Sequence, residues 1–337
     1  NNQCGAPLLP FSPLPTPDYK DLPSGVLICD SKDENCTFNL NNPDIKNEEV
    51  YKTSIPEGYP GVIIPETGPV LTIDLQNIKS QFEVTSNPGR DVTLLCPNDI
   101  DLVVPPSNHI SIQTDASELK VSPVGDSDTV SIYKLTPSKN IEIKSDKANV
   151  TLNELIINTV QEFTGQTGGK QTTVSKVMIQ RGIEFKPKRV VLGLIQIGLR
   201  SVVDLEDSEI VARDAEFEVF YNRTQGSNYP IPIIIAQNVI DVTNAKVKMN
   251  KMDSDAFFQE EPENFTVALF KSNNANESLT KCEQVEFDSS GNANFGNAVC
   301  ENEGTNAKLI ARKSINTPKP KKKGLSGGAI AGIVIAC

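Results

Sequence analysis

Hydrophobic and polar residues alternate at every second position through most of the chain from about residue 62. The clearest runs are "VLTIDL", "QFEVTS", "VTLLCP", "IDLVVP", "ISIQTD", "LKVSP", "VSIYKL", "IEIKSD" and "VTLNEL", and their starts lie roughly ten residues apart. Alternation with a period of two is typical of strands that have one buried face. The pattern predicts an all-β protein built from many short strands.

Turn residues discriminate between two all-β architectures. A sandwich needs tight hairpins, and the chain contains no Asn-Gly or Asp-Gly pair. Gly125 is the one glycine between Gly89 and Gly165. A parallel β-helix joins its strands by bends and stacks them along an axis, so it needs fewer reverse turns. We therefore predict a parallel β-helix or solenoid, with tandem β-sandwich domains as the alternative.

One segment, residues 151–163, fits two secondary structures. Five apolar residues fall on one helical face, and Thr151 with Glu154 matches a capping box. These five are Leu152, Leu155, Ile156, Val160 and Phe163. A strand through "NVTLNEL" fits the same residues equally well, so both alternatives stay open at this stage.

Changes in composition divide the chain into six predicted regions. Proline is dense near the start, and an acidic stretch and a lysine cluster stand near the end. The regions are a Pro-rich lead-in (1–25), a β-rich solenoid-like domain (26–252), an acidic linker (253–263), a small β-unit (264–313), a basic juxtamembrane segment (314–323) and the start of a transmembrane helix (324–337).

The final residues, "KKKGLSGGAIAGIVIAC", place an uncharged and increasingly apolar stretch after a lysine cluster. A membrane-spanning helix needs about 20 apolar residues. We expect residues 324–337 to be the first part of such a span, so that the membrane is one partner of the chain. A buried final strand is the alternative.

Cysteine usage favours an extracellular body. Six cysteines precede the expected span, and an even number is typical of disulfide-linked exported proteins. The disulfide candidates are Cys4, Cys29, Cys36, Cys96, Cys282 and Cys300, among which Cys29 and Cys36, and Cys282 and Cys300, are close in sequence. Sequons for glycosylation occur at Asn35, Asn149, Asn222, Asn264 and Asn276. Long domains cross membranes largely regardless of flanking lysines.

Charge and side-chain chemistry give little support to other functions. The net charge of −11 repels phosphates, so we do not expect a nucleic-acid partner. His109 is the one histidine, and it stands at the start of a predicted strand. No phosphate-binding, dinucleotide-binding or zinc motif occurs. We therefore predict no catalytic residue, no metal ligand and no cofactor.

The sequence "KKKGLSGGAIAGIVIAC" resembles the membrane junction of single-pass surface proteins of trichomonad-type protozoa. In these proteins a large repetitive or β-rich ectodomain precedes a Gly/Ala-rich span. The resemblance covers about 15 residues and implies a surface antigen or adhesin, with no active site to carry over.

The sequence thus predicts a non-enzymatic protein of the plasma membrane with an extracellular, β-rich ectodomain. Its expected role is adhesion, or contact with a host or partner, through a protein or glycan ligand of unknown identity. Two alternatives remain: a surface-tethered β-helix enzyme acting on polysaccharide, and a cytosolic tail-anchored scaffold.

Overall fold

The computed structural model describes residues 18–159, 161–180, 183–197, 202–204, 216–221, 233–236, 246–251, 264–272, 286–288, 295–303 and 306–313. Side chains are described as far as residue 195, apart from a few positions, and beyond it chiefly the backbone of the strands. No residue in these ranges is helical. Three predicted regions fall outside these ranges: the acidic linker (253–263), the basic segment (314–323) and the expected span (324–337).

The first half of the described chain forms thirteen strands, most of them four to six residues long. They are β1 (Lys20–Asp21), β2 (Leu27–Ile28), β3 (Cys36–Phe38), β4 (Val50–Ser54), β5 (Gly61–Ile63), β6 (Val70–Asp74), β7 (Gln81–Thr85), β8 (Val92–Cys96), β9 (Ile100–Val104), β10 (Ile110–Thr114), β11 (Glu118–Pro123), β12 (Thr129–Pro137) and β13 (Ile141–Lys144).

Thirteen further strands follow in the second half. They are β14 (Asn149–Ile157), β15 (Gln161–Thr164), β16 (Thr172–Ile179), β17 (Glu184–Lys188), β18 (Val191–Ile197), β19 (Val202–Asp204), β20 (Glu216–Tyr221), β21 (Ile233–Ala236), β22 (Lys246–Lys251), β23 (Asn264–Ser272), β24 (Glu286–Asp288), β25 (Phe295–Glu303) and β26 (Asn306–Lys313).

From β3 to β24, successive strands alternate between two sheets, and each pairs in parallel with the strand one coil away. The first sheet has the order β1-β4-β6-β8-β10-β12-β14-β16-β18-β20-β22-β24. The second has the order β2-β3-β5-β7-β9-β11-β13-β15-β17-β19-β21-β23-β26-β25. The chain therefore winds into a parallel β-solenoid, which confirms the solenoid prediction and shows that the sandwich alternative is wrong.

The core lies between the two sheets and is built from columns of stacked aliphatic side chains. One column in the first sheet pairs Ile73, Leu94 and Ile112 in exact register on neighbouring coils, and all three are fully buried. Phe82, Leu102 and Val121 form a matching column in the second sheet. A single coil would leave its core-facing side chains exposed, so the burial of these side chains requires contact with the coils on both sides.

The segment that fits both a helix and a strand is strand β14, so the helical alternative is wrong. Leu152 and Leu155 both face the core, although they are three residues apart. The alternation breaks between them, because Asn153 and Glu154 are both partly exposed. The same break occurs in the neighbouring strands, at Tyr133–Lys134 in β12 and Ser175–Lys176 in β16.

An antiparallel hairpin of β2 and β3 covers the amino-terminal end of the solenoid. Cys29 and Cys36 close it with a disulfide, which confirms the predicted local pairing. Strand β1 pairs with β4, so the stretch predicted as lead-in (1–25) contains a strand of the first sheet. At the other end, β23 continues the second sheet in parallel and then pairs antiparallel with β26, which pairs with β25. The predicted small β-unit, 264–313, contains these three strands and β24.

Arg90 fixes a corner where the chain passes from the second sheet to the first. Its guanidinium donates to the carbonyl oxygens of Pro65 at 3.0 Å, Thr67 at 2.8 Å and Pro69 at 2.7 Å, all one coil earlier. The side chain is almost fully buried, and desolvation lowers its pKa to about 10. Arg90 therefore stays charged at neutral pH and satisfies carbonyls that no strand neighbour reaches.

Among the described residues, no helix has the length and apolar character needed to cross a bilayer. The predicted span, 324–337, lies outside those residues.

Candidate functional site

An open groove of about 410 Å³ runs along the first sheet where its strands end and the chain turns toward the second sheet. It crosses five successive coils, from β6 to the residue after β14. Its lining residues are Asp74, Gln76, Leu95, Cys96, Pro97, Gln113, Thr114, Asp115, Thr136, Pro137, Ser138 and Asn158. Neighbouring strands lie about 4.8 Å apart, so the groove is about 19 Å long.

Backbone hydrogen bonds between coils make the wall of this groove rigid. The amide of Leu75 donates to the carbonyl of Leu95 at 2.9 Å, and the amide of Ser138 donates to the carbonyl of Thr114 at 2.9 Å. The Thr114 hydroxyl donates to the carbonyl of Cys96 at 2.7 Å and accepts from the amide of Ala116 at 2.9 Å. These groups are already paired, so ligand recognition falls to the side chains that project from the wall.

Those side chains are amides, hydroxyls and two carboxylates. Gln76 and Gln113 are exposed. Asp74 lies 3.6 Å from the Nζ atom of Lys52, and the carboxylate of Asp115 accepts a hydrogen bond from the Ser138 hydroxyl. No lysine or arginine belongs to the lining. The Oδ1 atom of Asn158 is buried, and within the described part of the chain nothing donates to it.

Cys96 also lines the groove and departs from the prediction that it forms a disulfide. Its thiol is free, its side chain is 1 % exposed and it belongs to the core between the sheets. Burial raises its pKa to about 12, with a smaller contribution from the charge of Asp74. The thiol is therefore protonated at neutral pH and is a poor nucleophile.

The remaining cysteines and sequons have different outcomes. Asn35 and Asn149 are partly exposed, and Asn149 accepts a hydrogen bond from the amide of Gln171 at 2.9 Å. Asn264 begins β23 and Cys300 lies in β25, where the backbone is described. Cys4, Cys282, Asn222 and Asn276 lie outside the described residues. Their pairing and glycosylation stay predictions.

His109 lies on the outer face of the first sheet, immediately before β10. Its Nδ1 atom is 3.2 Å from a carboxylate oxygen of Asp91, and its ring stacks on Tyr133 at 4.6 Å. The imidazole is about half exposed. Its neighbours thus fix the ring on the surface, away from the groove lining.

Within the described ranges, no three His, Cys, Asp or Glu side chains converge in an arrangement that could hold a metal ion. The chain matches no protein-family model, no curated protein and no solved structure. The groove, the Cys29–Cys36 disulfide and the sequence are therefore the features that bear on function.

No pattern in the sequence indicates the groove directly. Its polar residues come from coils about twenty positions apart, and only the register of the stacked strands brings them together. The available signal was indirect: Asp74, Leu95, Gln113 and Thr136 are in register near the ends of four successive first-sheet strands, and three of the four are polar.

Proposed function

We propose that the chain is the exterior part of a single-pass membrane protein, and that its solenoid binds a partner through the groove without chemical turnover. In this proposal the protein serves in adhesion or in contact with a host or partner. The lysines at 319–323 and the apolar residues 324–337 are the sequence features that support a membrane anchor.

The Cys29–Cys36 disulfide is the observation that most directly supports an extracellular location of the solenoid. Disulfides persist in secreted and cell-surface proteins and are rare in the cytosol, where thiols are kept reduced. This bridge joins residues seven positions apart at the exposed end of the solenoid. There it holds a hairpin of two- and three-residue strands whose pairing alone is marginal.

The groove supports binding as the mode of action. A concave site with a few fixed polar groups is the usual form of a ligand site. Its Cys96 thiol is held protonated, and its two carboxylates already interact with Lys52 and Ser138. The side chains that remain free to meet a ligand are suited to hydrogen bonding.

Trypsin treatment of intact cells, followed by peptide mapping without reduction, tests the proposal. We expect loss of the solenoid from the intact cells and recovery of a disulfide-linked Cys29–Cys36 peptide. Full protection from trypsin together with free thiols at both positions would favour the cytosolic tail-anchored scaffold. New reducing ends on polysaccharide incubated with the protein would favour the enzyme.

A further inference from the structure

We infer that the ligand of this groove is an uncharged oligosaccharide that lies along the solenoid axis, across the coils. The inference rests on the proposed function, since it names the ligand class of the same site. Three properties of the groove carry it: the charge of its lining, the paired state of its backbone and the chemistry of its free side chains.

The charge of the lining excludes anionic ligands. Asp74 and Asp115 are the charged residues of the groove, and the body of the chain is acidic overall. A phosphate, sulfate or uronate group placed there would meet like charge with no lysine or arginine among the lining residues to compensate it. Sulfated and acidic polysaccharides are therefore the wrong class.

The paired backbone disfavours an extended peptide. Peptides that bind β-proteins commonly add a strand to a free sheet edge and gain main-chain hydrogen bonds. Here the groove crosses the strands, and the wall amides of Leu75, Asp115 and Ser138 already donate to carbonyls of adjacent coils. A peptide in this direction would leave most of its own backbone groups without protein partners.

The free side chains match a polyol. The amides of Gln76 and Gln113 each offer both a donor and an acceptor, as sugar hydroxyls do. Leu95 and Pro97, which are not buried, also line the groove and provide apolar contact for the C–H faces of sugar rings.

A lysine-rich peptide is the competing ligand, because the groove contains two carboxylates. Asp74 already faces Lys52, and Asp115 already accepts from Ser138. A cationic peptide would have to compete with Lys52 for Asp74, whereas an uncharged sugar chain leaves that ion pair in place. The observations therefore favour the sugar.

Calorimetry on the full chain tests this with cellohexaose, mannohexaose and hexa-N-acetylchitohexaose as uncharged probes, and with hexalysine and an oligogalacturonate as charged ones. We expect binding of at least one uncharged probe and of neither charged one. Replacing both glutamines, Gln76→Ala with Gln113→Ala, should weaken that binding about tenfold, because two ligand hydrogen bonds are lost.

Gln81→Ala is the matched control, since Gln81 is an exposed glutamine on the second sheet. It should leave binding unchanged, and all variants should retain the wild-type urea midpoint. Binding of hexalysine or oligogalacturonate, no binding of any uncharged probe, or equal affinity in the double variant would overturn the inference. None of these outcomes bears on the exterior location, which trypsin treatment of intact cells tests separately.

Discussion

Gly68 and Arg90 are fitted to each other across adjacent coils. A methyl group on Gly68 would lie 2.9 Å from both terminal nitrogens of Arg90, and the φ angle of Gly68 is +138°. The guanidinium thus occupies the space that any side chain at position 68 would need. It does so while donating to Pro65, Thr67 and Pro69 on either side of this glycine.

Gly68→Ala should lower the free energy of unfolding by about 3 kcal/mol, because it adds a steric clash to an unfavourable backbone conformation. Gly125→Ala is the matched control, since Gly125 also has a positive φ, of +80°, but nothing lies within 4 Å of its added methyl group. We expect Gly125→Ala to lower the free energy of unfolding by about 1 kcal/mol. Urea unfolding of both variants measures the difference, and equal losses would contradict the fitted pair.

A double-mutant cycle isolates the contact itself. Arg90→Ala alone should cost about 3 kcal/mol, because three carbonyls lose their donor. In the Arg90→Ala background, Gly68→Ala should cost less than in the wild type, because one of the two side chains that crowd the added methyl group is gone. Some cost should persist, since the Cδ1 atom of Leu40 also lies 2.5 Å from the added methyl group. Strict additivity would show that the two residues are independent.

Asp99 should make stability fall in acid. Hydrogen bonds from the amides of Glu118 and Ser117, and from the Ser117 hydroxyl, lower the pKa of its carboxyl. The folded-state pKa is thus below the unfolded-state value, so this stabilisation is complete above the ordinary pKa of 3.8 and is lost as pH falls through the lower folded value.

The difference in unfolding free energy between wild type and Asp99→Asn measures this effect. It should be constant from pH 5 to 7 and shrink below about pH 4. Asp126→Asn, at an exposed aspartate in the loop before β12, serves as the control for replacing a surface aspartate. A wild-type advantage that grows in acid would be the opposite of the expected sign.

The Cys29–Cys36 bridge should contribute about 2.5 kcal/mol, the value that the chain-entropy relation gives for a loop of about eight residues. Cys29→Ser removes the bridge while Cys36, which is fully buried, keeps its place in the core. Native-state hydrogen exchange should increase first in β2 and β3. Unchanged exchange there would mean that the hairpin does not depend on its disulfide.

Cys96 should resist alkylation in the folded protein, because its thiol is buried and its pKa is raised to about 12. Mass spectrometry of the Cys96 peptide after iodoacetamide treatment at pH 8 measures this directly. Labelling should be slow in buffer and complete in urea. Rapid labelling in buffer would place the thiol outside the core.

The strand pattern was predictable wherever a strand spans five or more residues with one buried face. The runs beginning at Val70, Gln81 and Val92 coincide with β6, β7 and β8, because alternation reports directly on which side chains face the core. The lack of tight-turn dipeptides also favoured parallel stacking correctly. No strand before residue 61 was predicted. Strands β1, β2 and β3 have two or three residues and carry too little pattern, and in the five-residue β4 only Tyr51 is buried, so its alternation is weak.

The helix–strand ambiguity at residues 151–163 has a structural origin. A break in the alternation puts Leu152 and Leu155 three residues apart on the buried face, and this spacing imitates a helix. The break becomes recognisable only when β12, β14 and β16 are aligned in register. Cys96 was misassigned for a similar reason, since counting cysteines cannot show that one of them faces the core.

The exterior location of the solenoid is the central claim, and antibody access to intact cells tests it most directly. An epitope inserted into the exposed turn at Gly125 and Asp126, between β11 and β12, should leave the coils intact. We predict equal staining of intact and permeabilised cells that express the full-length protein. Staining only after permeabilisation would contradict the account and place the solenoid inside the cell.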